Sequence, residues 1–323
     1  MPFISVVIPC YNAADYIEKC LTALDRQSFK DFQAILIDDC STDNTFEVIE
    51  RFRSSHDLDL ICVRNEENSG PAKSRNRGIA LSTSKYVAFC DSDDWYEENY
   101  LQLMAEEAKR KNADMVFCNS QKVLMNGSVV KIDNIGEISD TATTKDVLAM
   151  GIDALWCLMA KRSIIVDTPQ PDLRNGEDMA VIPLLIMRSE KFGLVREHIY
   201  NYLCRPGSLS LSASEKVVRS LELSFEYIYG HQVSGYETEV EFVGVKNVVY
   251  GALLNYFKCA SKRSEAKEIL CRFEEKYPKW YKNKYIKSLN MYKRVFVWFA
   301  KRRFFVGIKI LSHIHKLMTE KEA

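Results

Sequence analysis

Five short apolar runs between Phe3 and Cys118 constrain the fold of this chain more than any other feature. They cover residues 3–8, 33–37, 58–63, 86–90 and 115–118, and segments with helical spacing of apolar residues separate them. Strands that alternate with helices predict βαβ units, and therefore an α/β fold with a mainly parallel sheet and helices on both faces. Right-handed crossovers bring the carboxyl ends of parallel strands to one edge, so the polar residues that end these runs are expected to lie together.

The fourth run leads directly into Asp91-Ser92-Asp93-Asp94. Three carboxylates within four residues repel one another unless a positive charge lies among them. A divalent cation such as Mg²⁺ or Mn²⁺ would supply that charge, bound through one or two carboxylates and through substrate phosphates. Taken alone, the motif also fits a solvated acidic turn in which Asp93 or Asp94 is the N-cap of the next helix.

Charge is unevenly distributed along the 323 residues, although the net charge is zero. The segment 279–319 contains eleven Lys or Arg residues and no Asp or Glu, and it is rich in aromatic and aliphatic residues. We therefore predict two regions, a domain over 1–210 and a helical region over 211–323 with a basic amphipathic end. Aromatic residues beside cations favour peripheral contact of 279–319 with an anionic membrane, while a solvated helix face or a homodimer contact is the alternative.

The ten cysteines occur singly, without a C-x-x-C pair, and the N-terminal residues lack the pattern of a signal peptide. No stretch of 18 apolar residues is present. These features favour reduced thiols and a cytoplasmic location, with peripheral attachment to the inner face of the cytoplasmic membrane. The basic segment matches no known nucleic-acid-binding module, so no nucleic acid partner is expected.

Five motifs occur at the ends of the predicted strands or at the start of a predicted helix. They are Val7–Asn12, Ile37–Asp43, Asn68–Ala72 with Arg75-Asn76, Asp91–Trp95 and Gly176–Asp178. In this order they resemble the motifs of the family 2 glycosyltransferases, and the resemblance extends from about Ile4 to Ser210. It implies the GT-A fold, a nucleoside diphosphate sugar donor, usually a UDP-sugar, and inverting transfer with Mn²⁺ or Mg²⁺.

The resemblance also implies roles for individual residues. Asp39 would read the uracil edge, Asp93 would be the metal ligand, Asp178 would be the catalytic base, and Glu177 would help to position the acceptor. The remaining implied contacts with the nucleotide sugar come from Pro9, Tyr11, Asn12, Arg75, Asp91 and Ser92. The chemistry is consistent with this division, since a cation can stabilise the departing diphosphate while a separate carboxylate takes the proton of the acceptor hydroxyl.

Several positions keep two interpretations. Cys40 stands where the family often has Gly, which bears on whether a left-handed turn forms there. His198 is either a further metal ligand or a structural histidine. Arg205 and Ser208 are candidates for a loop over the diphosphate. Trp95 and Trp156 either stack on an acceptor sugar or belong to the core.

The function we predict is a metal-dependent inverting glycosyltransferase that builds a surface polysaccharide, with a glycan or lipid-linked acceptor. A sugar-nucleotide nucleotidyltransferase is the first alternative, but it would need a glycine-rich, basic N-terminal loop, and Pro9–Asn12 is neither. A non-catalytic protein that binds sugar nucleotides is the second. The presence of both Asp93 and Asp178 argues against it.

Overall fold

The computed structural model describes residues 1–173, 176–205, 214–260 and 262–322. Ser208 and the predicted boundary at residue 210 lie outside the described residues, as do Arg174 and Asn175. Within the described ranges, nine strands form one sheet: β1 (Ile4–Cys10), β2 (Phe32–Asp38), β3 (Leu60–Arg64), β4 (Tyr86–Phe89), β5 (Trp95–Tyr96), β6 (Met115–Leu124), β7 (Val129–Ile132), β8 (Leu158–Lys161) and β9 (Phe192–Cys204).

The strand order is β3-β2-β1-β4-β8-β6-β9-β5, and β7 pairs with β6. Strands β1 to β4 are parallel to one another, as predicted. Beyond them the sheet is mixed, because β8 is antiparallel to both β4 and β6, while β9 is parallel to β6. A hairpin through Gly127 (φ +83°) adds a further antiparallel pair, because it reverses the chain between β6 and β7 without a crossover helix. The α/β class is confirmed.

Thirteen α-helices occur in the described ranges: α1 (Ile17–Asp25), α2 (Thr45–Ser55), α3 (Pro71–Leu81), α4 (Tyr100–Lys111), α5 (Thr144–Met150), α6 (Arg162–Val166), α7 (Glu177–Met187), α8 (Glu215–His231), α9 (Glu237–Gly244), α10 (Leu253–Cys259), α11 (Arg263–Lys276), α12 (Met291–Lys301) and α13 (Phe305–Glu322). A π-helical segment, Val245–Ala252, joins α9 to α10.

The central strands position the strand-end loops. β1 is almost entirely buried, and it has β2 on one side and β4 on the other. The chain therefore leaves β1 in one direction for β2 and β3 and later returns to the opposite side for β4. In open α/β sheets, the crevice at the carboxyl ends of two such strands is where ligands bind. The loops after β1 and β4 border this crevice.

Local sequence explains the helix that follows β3. Pro71 occupies the first turn of α3, where its fixed φ is favourable and its missing N–H is not needed. Gly70 precedes it with φ +86°, a conformation that few other residues adopt. Gly78 lies against β1, since a Cβ there would be 2.5 Å from Val7 Cγ1. The helix can therefore approach the sheet closely.

The chain divides into two compact units, Met1–Val147 with Ile152–Pro206, and Leu148–Gly151 with Gly207–Ala323. The first contains the sheet. The second is helical and has its own aromatic core, in which Phe225, Phe273 and Trp280 are buried. Arg272 bridges α11 to α8 through Glu222, with Nη2 to Oε1 at 2.6 Å. In the part of the chain that the structure describes, no helix has the length and apolar character needed to cross a bilayer.

Candidate active site

The loops after β1 and β2 are joined by hydrogen bonds through Asn12. Its backbone N–H donates to Ser41 Oγ (3.0 Å), and its Oδ1 accepts from the N–H of Thr42 (2.9 Å). The Asn12 side chain is thus engaged in holding the two loops together. Tyr11 is 48% exposed beside it, and Pro9 is half-buried in β1. Of these three predicted nucleotide contacts, Tyr11 and Asn12 are exposed to a ligand, whereas Pro9 is half-buried.

Asp39 organises the loop that precedes α3. It is buried, and its Oδ1 accepts hydrogen bonds from Asn65 Nδ2 (2.6 Å) and from the N–H of Ser69 (3.0 Å). Its Oδ2 accepts from the N–H of Gly70 (2.7 Å). Asp39 therefore fixes this turn as well as lying at the predicted base-binding edge. Asn65 was missed by the sequence analysis, although a polar residue directly after β3 was the signal for it.

Arg75 connects the loop after β4 with the start of α7. This loop, Asp91-Ser92-Asp93-Asp94, is called the acidic loop below. Nη2 donates to Asp91 Oδ1 (2.9 Å), while Nη1 donates to Glu177 Oε1 (2.8 Å) and to Asp178 Oδ1 (3.2 Å). The Arg75 side chain is only 6% exposed. Burial alone would lower the pKa of Arg75, but the three carboxylates raise it above its usual value, so the guanidinium stays charged. The structure thus brings together Arg75, Asp91, Glu177 and Asp178, which we call the Arg75 cluster. All four were predicted as site residues.

Asp178 lies at the N-terminal end of α7, one residue after Glu177. Its Oδ2 accepts a hydrogen bond from the N–H of Leu155 (3.1 Å), and its side chain is 20% exposed. Burial, together with Glu177 and Asp91, raises the pKa of Asp178 to about 7, although Arg75 and the Leu155 N–H oppose the change. Three carboxylates share one guanidinium, so the cluster accommodates one of them most easily in protonated form. Such a pKa suits a group that exchanges a proton near neutral pH.

Asp93 is paired with Arg205. The Nε of Arg205 donates to Asp93 Oδ2 at 2.6 Å, and the two side chains are 34% and 23% exposed. The guanidinium carbon also lies 4.9 Å from the ring centroid of Tyr16. A positive charge therefore lies beside the acidic loop, as like-charge repulsion requires. Ser92 is half-buried in the same turn, which the N–H of Asp94 closes onto the carbonyl of Asp91.

The interpretation of Asp94 as a helix N-cap is wrong. The following helix, α4, begins at Tyr100, and Asp94 is instead buried against β9. Its Oδ2 accepts from the hydroxyl of Tyr200 (2.7 Å), and its Oδ1 accepts from the N–H of Leu203 (2.8 Å). Burial raises the pKa of Asp94 well above its usual value, and the charges of Asp91 and Asp93 add to this. Asp94 therefore anchors the acidic loop to β9.

His198 contacts Asp133 and none of the carboxylates of the loop after β4. Its Nε2 lies 2.9 Å from Asp133 Oδ1, beyond the end of β7. The contacts that β9 makes with the acidic loop come from Tyr200 and Leu203. The structure therefore favours the structural interpretation of His198.

The two candidate tryptophans lie in different places. Trp156 follows Leu155, the residue that donates to Asp178, and its ring stacks on Tyr200 with centroids 4.5 Å apart. Trp95 lies under the ammonium group of Lys19, which is 3.0 Å from the ring centroid. Trp156 thus borders the Arg75 cluster and is half-buried. Trp95 lines a separate hollow of about 400 Å³ beside α1.

The residues present fit a divalent cation only in part. Carboxylate oxygens are the ligands that Mg²⁺ and Mn²⁺ prefer, and Asp91 and Asp93 supply them on one turn. Among the described residues, however, no group of three or more His, Cys, Asp or Glu residues is arranged to hold a metal ion. The arrangement fits an ion that takes one or two carboxylates and completes its shell with phosphate and water.

Comparisons with known proteins indicate the family of this chain. Residues 5–150 match the family model described as glycosyl transferase family 2. The putative teichuronic acid biosynthesis glycosyltransferase TuaG of Bacillus subtilis is 30% identical over 179 residues, which cover 55% of this chain and 70% of TuaG. Glycosyltransferase GlyA of Streptococcus pneumoniae is 26% identical over 230 residues, covering 68% of this chain but 33% of GlyA. The match to GlyA thus spans about a third of that relative's length.

Solved structures share the fold across the whole chain. The crystal structure of Staphylococcus aureus TarS 1-349 in complex with UDP aligns with a TM-score of 0.73 at 19% identity, covering 98% of this chain and 92% of that one. The mannosyltransferase PcManGT from Pyrobaculum calidifontis, in complex with GDP-Man and Mn²⁺, aligns with a TM-score of 0.58 at 15% identity, covering 98% and 87%. Identities this low bear on the fold alone. Taken with the family match and the relatives, they establish that this chain has the GT-A fold and belongs to glycosyl transferase family 2.

Proposed function

We propose that this chain transfers a sugar from a nucleoside diphosphate sugar to an acceptor hydroxyl, with inversion at the anomeric carbon. The observation that carries the proposal is the Arg75 cluster, in which a carboxylate with a pKa of about 7 lies beside the acidic loop of the donor site. A general base works best when its pKa lies near the working pH, because enough of it is then ionised to accept a proton as the hydroxyl attacks. Asp178 meets that requirement.

In the proposed reaction, Asp178 takes the proton of the acceptor hydroxyl. The oxygen of that hydroxyl forms a bond to the anomeric carbon at the same time. The bond between that carbon and the diphosphate oxygen breaks, and the nucleoside diphosphate leaves with the electron pair. Arg75 bonds to both Glu177 and Asp178 at the start of α7 and so orients Asp178, while Glu177 would help to position the acceptor. The names of two relatives support inversion, since they describe a poly(ribitol-phosphate) β-glucosyltransferase and a β-N-acetylglucosaminyltransferase, and UDP-sugars of this kind carry an α linkage.

We propose a UDP-sugar as the donor. Support comes from the solved complexes of TarS with UDP and with UDP-GlcNAc. On this chain, Tyr11 would stack on the base, with Pro9 and Asn12 beside it, Asp39 would read the uracil edge, and Asp91 and Ser92 would lie near the ribose or diphosphate. Asp93 would hold Mn²⁺ or Mg²⁺, an ion whose charge offsets that of the diphosphate.

We further propose that residues 1–210 form the catalytic domain and that the acceptor is a cell-wall or lipid-linked glycan reached from the cytoplasmic side. The relatives support the acceptor class, because TuaG is named for teichuronic acid biosynthesis and TarS for poly(ribitol phosphate). Both are polymers of bacterial surfaces. Residues 211–323 would then form a helical region with a basic amphipathic end.

The test combines donor binding with transfer, using the full chain, Mn²⁺, and a panel of UDP- and GDP-sugars with poly(ribitol phosphate) as acceptor. We expect Asp178→Asn to bind donor with unchanged affinity and to lower kcat by about 10²- to 10⁴-fold. Asp93→Ala is expected to lose the Mn²⁺ dependence of donor binding. Asp172→Asn is the control, because Asp172 is 65% exposed and pairs with Lys73 outside the cluster.

Three results would contradict the proposal. Transfer at the parental rate by Asp178→Asn would remove Asp178 as the base. Synthesis of a sugar nucleotide from a nucleoside triphosphate and a sugar phosphate would indicate a nucleotidyltransferase. Donor binding without release of UDP or GDP, for every donor and acceptor tested, would indicate a non-catalytic binding protein.

A further inference from the structure

Helix α13 has apolar residues on two opposite faces. One face packs within the helical unit, where Phe305, Ile308 and Ser312 are buried. The other remains exposed, and at 100° per residue its members lie within an arc of about 80°. These residues, which we call the C-terminal apolar stripe, are Val306 (42% exposed), Ile310 (55%), Ile314 (43%) and Leu317 (48%).

The exposed stripe distinguishes α13 from an ordinary surface helix. Such a helix turns its apolar residues to the core and its polar residues to water. Here the apolar positions at spacings of four and three residues face solvent, and Lys309 and Lys316 flank them on one side of the helix. An apolar face bordered by cations is typical of helices that lie in the plane of a membrane interface.

The junction between α12 and α13 repeats this combination. Trp298 and Phe304 are each 49% exposed. Between them lie the exposed cations Lys301 and Arg302, and the Arg302 guanidinium is 4.0 Å from the Trp298 ring centroid. Tryptophan favours the boundary between lipid headgroups and acyl chains, and neighbouring cations bind lipid phosphates.

The charge of the whole segment favours an anionic partner. Of its eleven Lys and Arg residues, Lys284 pairs with Glu239 and Arg303 pairs with Glu274, both outside the segment. The segment 279–319 itself contains no Asp or Glu, so its net charge is strongly positive. A second copy of the same surface would bring like charges together, and a nucleic acid would leave the apolar stripe in water. An anionic bilayer satisfies both the cations and the stripe.

We propose that α12 and α13 dock peripherally on an anionic phospholipid surface. The C-terminal apolar stripe enters the boundary between headgroups and acyl chains, while Lys301, Arg302 and Lys309 contact lipid phosphates. Attachment is peripheral, since no described helix could cross a bilayer. The inference does not depend on the transfer chemistry, because none of these residues belongs to the Arg75 cluster.

The experiment is co-sedimentation of the full chain with vesicles of phosphatidylglycerol and phosphatidylcholine, compared with vesicles of phosphatidylcholine alone. One variant combines Ile310→Ser with Ile314→Ser, and another combines Lys301→Gln with Arg302→Gln. Two matched controls change residues of similar exposure elsewhere. The apolar control is Val129→Ser with Val130→Ser on β7 (52% and 48% exposed), and the charge control is Lys216→Gln with Lys267→Gln on α8 and α11.

We expect the parent to sediment with the anionic vesicles and to be released by high salt. The stripe variant should lose affinity by about tenfold or more. The charge variant should lose about 25-fold, since each of the two cations near an anionic surface contributes about a factor of five. The controls should bind like the parent. Circular dichroism melting curves establish that each variant is folded, and all eight substituted residues are exposed, so we expect unchanged midpoints.

Equal binding to both vesicle types, absence of binding, or parental binding by both test variants would overturn the proposal. So would a dimer in lipid-free solution that the stripe variant converts to a monomer, as measured by light scattering. That outcome would assign the stripe to an interface between copies.

Discussion

Replacing Asp178 by Asn removes the carboxylate that the Arg75 cluster holds most easily in protonated form. The folded state raises the pKa of Asp178 from its usual value of 3.8 to about 7, so between these values the folded chain binds a proton that the unfolded chain has lost. The free energy of unfolding therefore falls as the pH rises from about 4 to 7, and this loss is complete above pH 7. Asn resembles the protonated acid and does not titrate.

The magnitude follows from the two pKa values. An interval of about three pH units, at 1.36 kcal/mol each, gives an upper limit of about 4 kcal/mol at pH 8. The variant also loses the attraction between Asp178 and Arg75, and the side chain is 20% exposed, so part of this gain is offset. We expect Asp178→Asn to be more stable than the parent by about 2 kcal/mol at pH 8 and to lose most of this advantage as the pH falls towards 4.

Urea denaturation at pH 4.5, 6 and 8 measures this difference directly. Asp172→Asn serves as the control, and its exposed pair with Lys73 is expected to change stability by less than about 0.5 kcal/mol at every pH. A parent at least as stable as Asp178→Asn at pH 8, with a difference that does not vary with pH, would refute the reasoning. That result would mean that burial and neighbouring charge do not raise the pKa of Asp178 in the folded chain.

Three further substitutions test the packing around the site. Arg75→Lys keeps the charge but cannot make all three bonds of the guanidinium, so we expect a loss of about 2 kcal/mol in urea denaturation and a lower kcat. Asp94→Ala leaves its two buried hydrogen-bond donors on β9 unpaired, and calorimetry should show a loss of about 2–4 kcal/mol. Gly78→Ala places a Cβ 2.5 Å from Val7 Cγ1, which should cost about 1–3 kcal/mol, whereas Gly230→Ala, where a Cβ meets no atom within 4 Å, should not destabilise.

Periodicity in the sequence predicted the first four strands and their edge because each depends on local pattern. The apolar runs are buried strands, and the polar residues that follow β1, β2 and β4 belong to loops at one edge of the sheet. At Cys40 the chain keeps the left-handed turn, with φ +60°, although the residue there has a side chain. A backbone conformation can therefore survive the loss of the glycine that usually permits it, at some cost in strain.

Contacts between distant segments could not be predicted in the same way. The sequence indicated Arg75 and Glu177 separately, but it held no signal that one guanidinium joins them across 102 positions. The bond from the Leu155 N–H to Asp178 is a backbone contact, which leaves no trace in side-chain pattern. Asp94 was misassigned for a related reason, since its partners lie on β9, more than 100 positions away.

The position of Arg75 connects the architecture of the site with its chemistry. A buried guanidinium must be paired, and three carboxylates from two segments satisfy it, so the same bonds hold the acidic loop and the start of α7 in fixed relation. One positive charge cannot fully neutralise three negative ones, so the cluster favours a proton on one of them. Asp178 has the longest of the three contacts, 3.2 Å against 2.8 and 2.9 Å, and its second oxygen is held by a neutral N–H. It is therefore the member whose proton can be exchanged with least disturbance to the bonds that hold the site together.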